Sequence, residues 1–175
     1  RDGSANNLVY EAASNEFISE VAVNPSNGTL ALKLNDSFGY NVKIIILDPD
    51  QGVVLQTIVE GVPGAFGGLD FSPDGSQLLY TQDASGAENA QYRILDSRIF
   101  IYAFASGTGI EFDTEKPVGQ NDLDPKFSPD GGFIIYHRTS NDGVSQSTIQ
   151  RTQVRLDEAV ETQALFTDAF MPSWD

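Results

Sequence analysis

The chain contains no cysteine, a single histidine (His137) and only 10 basic residues against 25 acidic ones. Without cysteine it forms no disulfide and offers no thiolate as a nucleophile or metal ligand. One histidine cannot supply a zinc site, which needs several histidine or cysteine ligands. The net charge of −15 disfavours nucleic-acid binding, because contact with phosphates requires a basic surface.

Long hydrophobic runs and catalytic motifs are also missing. The longest uninterrupted apolar run covers residues 99–105, which is too short to span a bilayer, so we expect no membrane insertion. The chain has no Gly-x-Ser-x-Gly elbow, and the glycines between residues 61 and 68 lack the Lys-Ser/Thr of a phosphate-binding loop. We therefore expect no catalytic residues and no enzymatic activity of its own.

A short motif recurs along the chain. The sequence Phe-Ser-Pro-Asp-Gly occupies residues 71–75 and again 127–131, with a weaker copy at 23–28 and a partial copy at 172–175. An interval of roughly 50 residues is typical of a repeat architecture. Proline presets φ, aspartate bonds to its own backbone and glycine accepts positive φ, so each full copy predicts a tight turn. The predicted structural turn residues are Pro73, Asp74, Gly75, Pro129, Asp130 and Gly131.

Apolar segments with strand character flank each turn, and no segment shows a sustained helical period. The pattern predicts an all-β chain of about three four-stranded antiparallel units, at about 17–60, 66–115 and 122–167. One extra strand is expected at each end, at 8–13 and 169–174. A repeated four-stranded antiparallel unit is typical of a β-propeller blade, so the fold class is a partial β-propeller.

The motif, with its short preceding strand and the apolar strand that ends near a tyrosine (Tyr80, Tyr136), resembles the TolB-like, WD-repeat-like β-propeller family. The resemblance covers residues 8–175 and concerns the blade, not a function. Propellers of this family usually have six or seven blades. We therefore expect that the chain is a piece of a longer protein, or else that another molecule closes its ring. In either case the terminal strands leave open edges, through which we expect association.

The connections predict which end of the propeller binds. Turns between first and second and between third and fourth strands are short, whereas the other loops and the links between blades are long and share the opposite end. Binding residues are usually carried by long loops on a rigid scaffold. The candidates that we place at this end are Phe38, Tyr40, Tyr92, Arg93, Asp122, Asp124, His137 and Arg138.

Each candidate has a structural alternative, since loop residues are often merely solvated and His137 is also explained as a strand or pore residue. We expect no cofactor and no metal site. Calcium is the metal that needs consideration, because residues 48–52 and 122–124 place aspartates at turn spacing and calcium prefers carboxylate oxygens. Aspartate is also common in turns for backbone reasons.

The resemblance implies a non-catalytic scaffold for protein–protein contact, in the periplasm or outside the cell, in a bacterial envelope. The alternatives are an accessory propeller of a larger hydrolase or peptidase, and a carbohydrate-active propeller. A protein partner is expected under the first interpretation.

Overall fold

The computed structural model describes residues 7–62, 68–85, 95–142, 144–145, 147–155 and 161–174. Within these ranges the chain forms twelve β-strands and no helix. The strands build three four-stranded antiparallel sheets in which sequence order equals spatial order. The expectation of an all-β chain with three antiparallel blades is thus confirmed.

The first blade contains β1 (Phe17–Val23), β2 (Leu30–Asn35), β3 (Val42–Asp48) and β4 (Val53–Val62). The two middle strands are buried, whereas β1 and β4 are largely exposed. β3 has an almost continuous apolar sequence because both of its faces are covered.

The second blade contains β5 (Asp70–Phe71), β6 (Gln77–Asp83), β7 (Ser97–Ala103) and β8 (Thr108–Glu111). Its first strand is short and lies between the first strands of the other two blades. The first strands therefore lie side by side, as the strands around the central channel of a propeller do.

The third blade contains β9 (Gln120–Phe127), β10 (Phe133–Ser140), β11 (Thr148–Gln153) and β12 (Thr162–Thr167). Its first strand packs against β6 and β7 of the second blade. All three first strands, β1, β5 and β9, are called the inner strands below.

Alternate residues of one strand pack into two different cores. In β6, Leu78 and Tyr80 pack against the first blade, whereas Leu79 packs against the third. Successive strand residues point to opposite faces, so a blade between two others buries both of its faces. Each fully buried residue of this size contributes about 1.5–3 kcal/mol.

The repeated turns hold the same hydrogen bonds in the second and third blades. The Ser72 hydroxyl donates to Asp74 at 2.6 Å and accepts from the Gln77 backbone at 2.9 Å. Ser128 makes the equivalent bonds with Asp130 and Phe133 at the same distances. The hydroxyl of Ser72 and the N–H and hydroxyl of Ser76 stabilise the charged Asp74 side chain and lower its pKa to about 2.

Neither terminal segment forms the strand expected from the sequence. Residues 7–13 and 169–174 belong to no strand, because a strand requires a hydrogen-bonded neighbour and the described chain provides none beside them. Val9, Tyr10 and Ala12 instead cover the apolar face of the first blade that points away from the second.

The strands of the three blades span residues 17–62, 70–111 and 120–167. The last strand of the second blade ends at Glu111, since Thr114 turns away to bond Arg138 and Asp122 of the third blade. β11 ends at Gln153, and the backbone N–H of Val154 adds one more bond in the same register, to the Gly132 carbonyl.

Candidate functional site

The loop between β2 and β3 is held in one conformation by Asp36. Its carboxylate accepts from the backbone N–H of Phe38 at 2.9 Å, from the N–H of Tyr40 at 2.8 Å, and from the Asn41 side chain at 2.8 Å. The bond from Tyr40 is the largest contribution that lowers the pKa of Asp36. The loop therefore presents Phe38 to solvent at 78% exposure, while Tyr40 is half-buried.

Two further long loops at the same end also expose apolar residues. Val118 lies in the link between the second and third blades, and Val144 lies in the loop between β10 and β11. Both side chains are almost fully exposed. Together with Phe38 they place one exposed apolar residue on a long loop near each blade, and we call these three residues the apolar tips.

Most connections at the opposite end carry polar residues at their tips, such as Asp50, Gln51, Asp74 and Asp130, although Ala105 is also exposed there. The sequence prediction included Phe38 but missed Val118 and Val144. A lone valine in a polar loop carries no periodic signal, although the loop positions themselves were predictable from the repeat.

Asp122 and Arg138 form a buried ion pair. They face each other in the β9–β10 ladder, and Arg138 binds both carboxylate oxygens, at 2.7 and 2.9 Å. Asp122 is completely buried and Arg138 is nearly so. Their predicted role in binding stays a prediction, while their geometry is that of a structural ion pair inside the third blade.

Polar groups of the second blade complete the network around this pair. Arg138 also donates to the Thr114 carbonyl at 3.1 Å, and the Thr114 hydroxyl donates to Asp122. Ser97 donates its hydroxyl to the Asp122 carbonyl at 2.8 Å and its N–H to Asn121 at 2.9 Å. The pair is thus hydrogen-bonded on all sides, as a buried charge requires.

Asp124 and His137 lie on neighbouring strands of the third blade, where His137 pairs with Leu123, the residue before Asp124. Asp124 interrupts the β9–β10 register with a bulge and has a left-handed backbone, with φ of 52°. The buried Nε2 of His137 has no hydrogen-bond partner in the part of the chain that the structure describes. Non-glycine residues with positive φ and unpaired buried polar atoms are both uncommon, and both concentrate at functional sites.

The two side chains influence each other electrostatically. Burial raises the pKa of Asp124 and the carboxylate of Glu20 adds to this, whereas His137 and nearby lysines oppose it. Burial lowers the pKa of His137, against the opposing effect of the carboxylates of Asp124 and Asp122. Both shifts favour the uncharged forms, as expected for groups removed from water.

Lysines and carboxylates of all three blades lie near Asp124 or along the inner strands. Lys33 pairs with Glu20 at 3.2 Å, and Lys126 donates to the Leu69 carbonyl at 3.0 Å and lies 3.8 Å from Asp70. The Asp70 carboxylate accepts from the Phe127 backbone at 2.7 Å. The contacts of Lys126 and Asp70 tie the inner strands β5 and β9 together, whereas the Lys33–Glu20 pair lies within the first blade.

A cleft of about 570 Å³ opens between the second and third blades at the long-loop end. Its charged residues are mutually paired: Asp96 binds Arg98 at 2.8 Å and Lys116 at 2.6 Å, and Arg98 also binds Glu111 at 2.9 Å. The Arg98 guanidinium, followed by the Lys116 ammonium, lowers the pKa of Asp96. The sequence carries no signal for these residues, since their pairing depends on the β7–β8 register and on the path of the link that carries Lys116.

Tyr92 and Arg93 lie outside the described residues. Two of the four aspartates considered for calcium have other partners: Asp48 accepts from the backbone N–H of Asp50 and Gln51, and Asp122 binds Arg138. The described residues include no group of three or more His, Cys, Asp or Glu arranged to hold a metal ion. Nor does this part of the chain contain a helix of the length and hydropathy that a membrane crossing requires.

No protein-family model matches the chain, and no curated protein matches it by sequence. Solved structures do match. TolB from Acinetobacter baumannii aligns with a TM-score of 0.61 and 16% identity, over 84% of this chain and 32% of that one. Prolyl oligopeptidase B from Galerina marginata aligns with a TM-score of 0.61 and 14% identity, over 92% and 25%.

An oligogalacturonate lyase in complex with manganese aligns with a TM-score of 0.61 and 14% identity, over 95% of this chain and 45% of that one. The chain thus spans a quarter to just under half of the length of these three structures. Similarity at this level of identity concerns the fold. The chain therefore has the fold of a partial β-propeller built from TolB-like blades.

Proposed function

We propose that this chain is a non-catalytic β-propeller scaffold that binds a protein partner through its long-loop end, in the periplasm or outside the cell, at a bacterial envelope. The observation that carries the proposal is the set of apolar tips, Phe38, Val118 and Val144, which are exposed at one end of the molecule. Exposed apolar residues grouped within a polar surface are typical of protein interfaces.

The rigidity of the Phe38 loop supports this role. The loop is closed by side-chain bonds to Asp36 and by backbone bonds from Asp36 to Tyr40 and from Gly39 to Asp36. A loop already ordered before binding loses little conformational freedom in the complex. An aromatic residue on such a loop is the kind of anchor that contributes most to binding energy.

The charges of the described region support a scaffold rather than an enzyme. Arg98, Lys116 and Arg138 all form ion pairs with carboxylates. Paired charges stabilise the blades and their contacts, and groups engaged in this way are poorly placed for acid–base chemistry on a substrate. The similarity to TolB structures agrees with a protein-binding propeller.

The test compares two triple variants in cross-linking to an envelope extract of the organism that encodes the chain. One variant replaces Phe38, Val118 and Val144 with serine. The matched control replaces Gln51, Val53 and Ala105, which are exposed at the opposite end, with serine. We expect the first variant to lose the cross-linked partner, which is then identified by mass spectrometry, and the control to retain it. Loss in the control alone, or equal capture by both variants, would contradict the proposal.

The accessory-propeller alternative rests on the similarity to prolyl oligopeptidase B, a structure bound to a hydrolysis and macrocyclization substrate. Two observations distinguish the scaffold from the accessory propeller. They are the coding sequence on either side of this chain and the identity of the captured protein. A hydrolase domain in the same polypeptide supports the alternative, and a separate envelope protein supports the scaffold.

A further inference from the structure

The outermost strand of the first blade has one free edge. β4 has 10 residues and lies at the end of its sheet, where it pairs only with β3 in the part of the chain that the structure describes. Residues 53–57 of this strand are all exposed, and we call them the open edge. An edge strand presents a row of unpaired backbone N–H and C=O groups, which match a further extended strand.

The open edge exposes more apolar surface than the outermost strands of the other two blades. Val53, Val54 and Leu55 are 49%, 42% and 56% exposed. β8 and β12 have 4 and 6 residues, and each exposes one large apolar side chain, Ile110 and Phe166 respectively. The exposed apolar run is therefore particular to the first blade and is not a general property of the repeat.

The features that normally prevent pairing at an edge are missing from this segment. Residues 53–59 contain no charged residue and no proline, which natural proteins place on edge strands to keep other chains away. Ile58 and Val59 pack against the core that the first two blades share, and Gln56 donates to the Tyr102 hydroxyl of the second blade. The open edge is thus already held extended, so an added strand orders little backbone of this chain.

A bulge adds an exposed leucine to the open edge. Leu47 pairs with Val54 and Ile46 pairs with Gln56, so Leu55 between them is an extra residue without a partner in β3. Bulges at the edges of sheets re-aim a side chain or end the pairing. Because the extra residue is an exposed leucine, this bulge offers an apolar contact beside the free edge.

The charges near the open edge indicate the chemistry of the segment that pairs with it. Residues 48–62 contain three carboxylates and no basic residue, and of these Asp50 and Glu60 are exposed on either side of the open edge. A second copy of the chain would bring the same carboxylates and a net charge of −15, so two copies repel each other. A segment with basic residues at its ends is attracted instead.

We propose that the open edge binds an extended segment of a protein partner, which has apolar residues in its middle and lysine or arginine at both ends. This segment adds a fifth strand to the first blade, and its backbone hydrogen bonds provide the affinity. Five residues of a strand span about 17 Å, so a short segment is sufficient. The site lies along the side of the molecule and goes beyond the binding proposed for the long-loop end.

The test titrates the 15N-labelled chain with a synthetic peptide of the sequence Lys-Val-Thr-Val-Thr-Val-Lys, with both ends blocked. We expect saturable shifts of backbone amide resonances, with the largest shifts at residues 53–57. Hydrogen exchange of amides in the open edge should become slower, because a paired edge is shielded from water.

Two modified peptides test the mode of binding. The first is N-methylated at two consecutive central residues, which removes N–H groups from both of its edges because successive residues point in opposite directions. It should bind at least about tenfold more weakly, since backbone hydrogen bonds are lost. The second has glutamate in place of both lysines and should also bind more weakly, with the difference decreasing as salt is added.

A matched pair of protein variants tests the location. Leu55→Lys places on the open edge the kind of charge that blocks edges, and it also repels the basic peptide, so binding should weaken at least about tenfold. Ile110→Lys makes the same change on the outermost strand of the second blade and should bind like the wild type. Both side chains are exposed, so neither change should disturb the fold.

No saturable shift, shifts centred outside β4, equal binding of the N-methylated peptide, or unchanged binding by Leu55→Lys would overturn the site. Equal binding of the glutamate peptide would overturn the basic chemistry assigned to the partner. If dilution of the chain alone moves the β4 resonances, the occupant is a second copy and the proposal is refuted.

The same peptide separates this site from the proposed function. The triple variant of the apolar tips should bind it like the wild type, because Phe38, Val118 and Val144 lie outside β4. The serine control changes only Val53 of the open edge, and serine keeps the backbone N–H that pairing requires. Failure of the peptide thus refutes the open-edge site alone, and failure of the cross-linking test refutes the long-loop interface alone.

Discussion

Single residues in the short turns connect one blade to the next. The first blade has Asn24 where the other two have serine, and its side chain donates to the Gly75 carbonyl at 3.0 Å. Its Oδ1 also accepts from the Ser26 N–H at 2.9 Å. Asn24 is almost completely buried, so this bond fixes the turn of the first blade against the turn of the second.

Two glycines of the repeated turns offer a matched pair of substitutions. Gly75 and Gly131 have φ of 72° and 73°, so alanine at either position costs about 1–2 kcal/mol for the left-handed backbone. A Cβ at Gly75 would lie 2.1 Å from Asn24 Oδ1, whereas at Gly131 the nearest atom is 3.5 Å away. In urea unfolding we expect Gly75→Ala to lower the free energy of unfolding by about 1–3 kcal/mol more than Gly131→Ala.

Equal losses in the two glycine variants would show that the Asn24 contact does not constrain the turn. Adding Asn24→Ser to Gly75→Ala restores the motif serine and removes the contact with Asn24 Oδ1, while Ser26 Oγ would remain 2.6 Å from the added Cβ. This double variant should recover part of the lost stability, which separates crowding from backbone strain.

At the scale of the elements, the segment before β1 substitutes for a neighbouring blade. Leu32, Leu34, Ile45 and Leu47 of the first blade form an apolar face, and the segment at 7–13 covers it. The equivalent faces between blades are covered by whole sheets. Coverage by a short segment leaves residues at the margins of this face exposed, Val21 and Val23 among them.

Adjacent residues of this segment allow a direct test of its packing. Val9 packs on the first blade, whereas Leu8 is 78% exposed. Val9→Asp should lower the free energy of unfolding by about 1–3 kcal/mol, because a charged group would be placed against an apolar face. Leu8→Asp should change it by less than about 0.5 kcal/mol. Thermal unfolding followed by circular dichroism measures both, and a neutral Val9→Asp would mean that the segment does not cover the blade in solution.

For the whole molecule, the contact between the second and third blades combines an apolar core with hydrogen bonds to an ion pair of the third blade. Leu79, Ile101 and Tyr136 belong to the apolar core, and Asp122 and Arg138 form the buried pair at its edge. Such a pair contributes little net stability relative to apolar residues, but loss of one partner leaves a buried charge. The interface is therefore sensitive to changes in a single member of the pair.

Asp122→Ala should lower the free energy of unfolding by about 3–5 kcal/mol, because Arg138 would remain charged and buried. The double variant Asp122→Leu, Arg138→Met should lose much less. Arg98→Ala, which removes a more exposed pair, serves as the control and should cost about 0–1 kcal/mol. Urea unfolding of the three variants gives the comparison, and a double variant as unstable as Asp122→Ala would contradict the explanation.

Many residues of the candidate site could be predicted from the sequence, whereas the contacts between their side chains could not. Asp124 and His137 were predicted, and the structure brings them together on neighbouring strands. The pairing of Asp122 with Arg138 depends on the β9–β10 register, which includes a bulge that the sequence does not reveal. Because the sequence does not show that these two side chains pair with each other, the prediction placed both of them among the binding candidates.

The amino-acid sequence by itself determined the blade. The Phe-Ser-Pro-Asp-Gly motif encodes a local turn, and the alternating apolar residues around it encode strands with two buried faces, so both can be recognised without knowledge of distant contacts. Only the tertiary structure decided where strands end, which face of a terminal blade is covered, and which charges meet. The reason is that these features depend on contacts between blades, as when Thr114 leaves the second blade to bond Arg138 of the third.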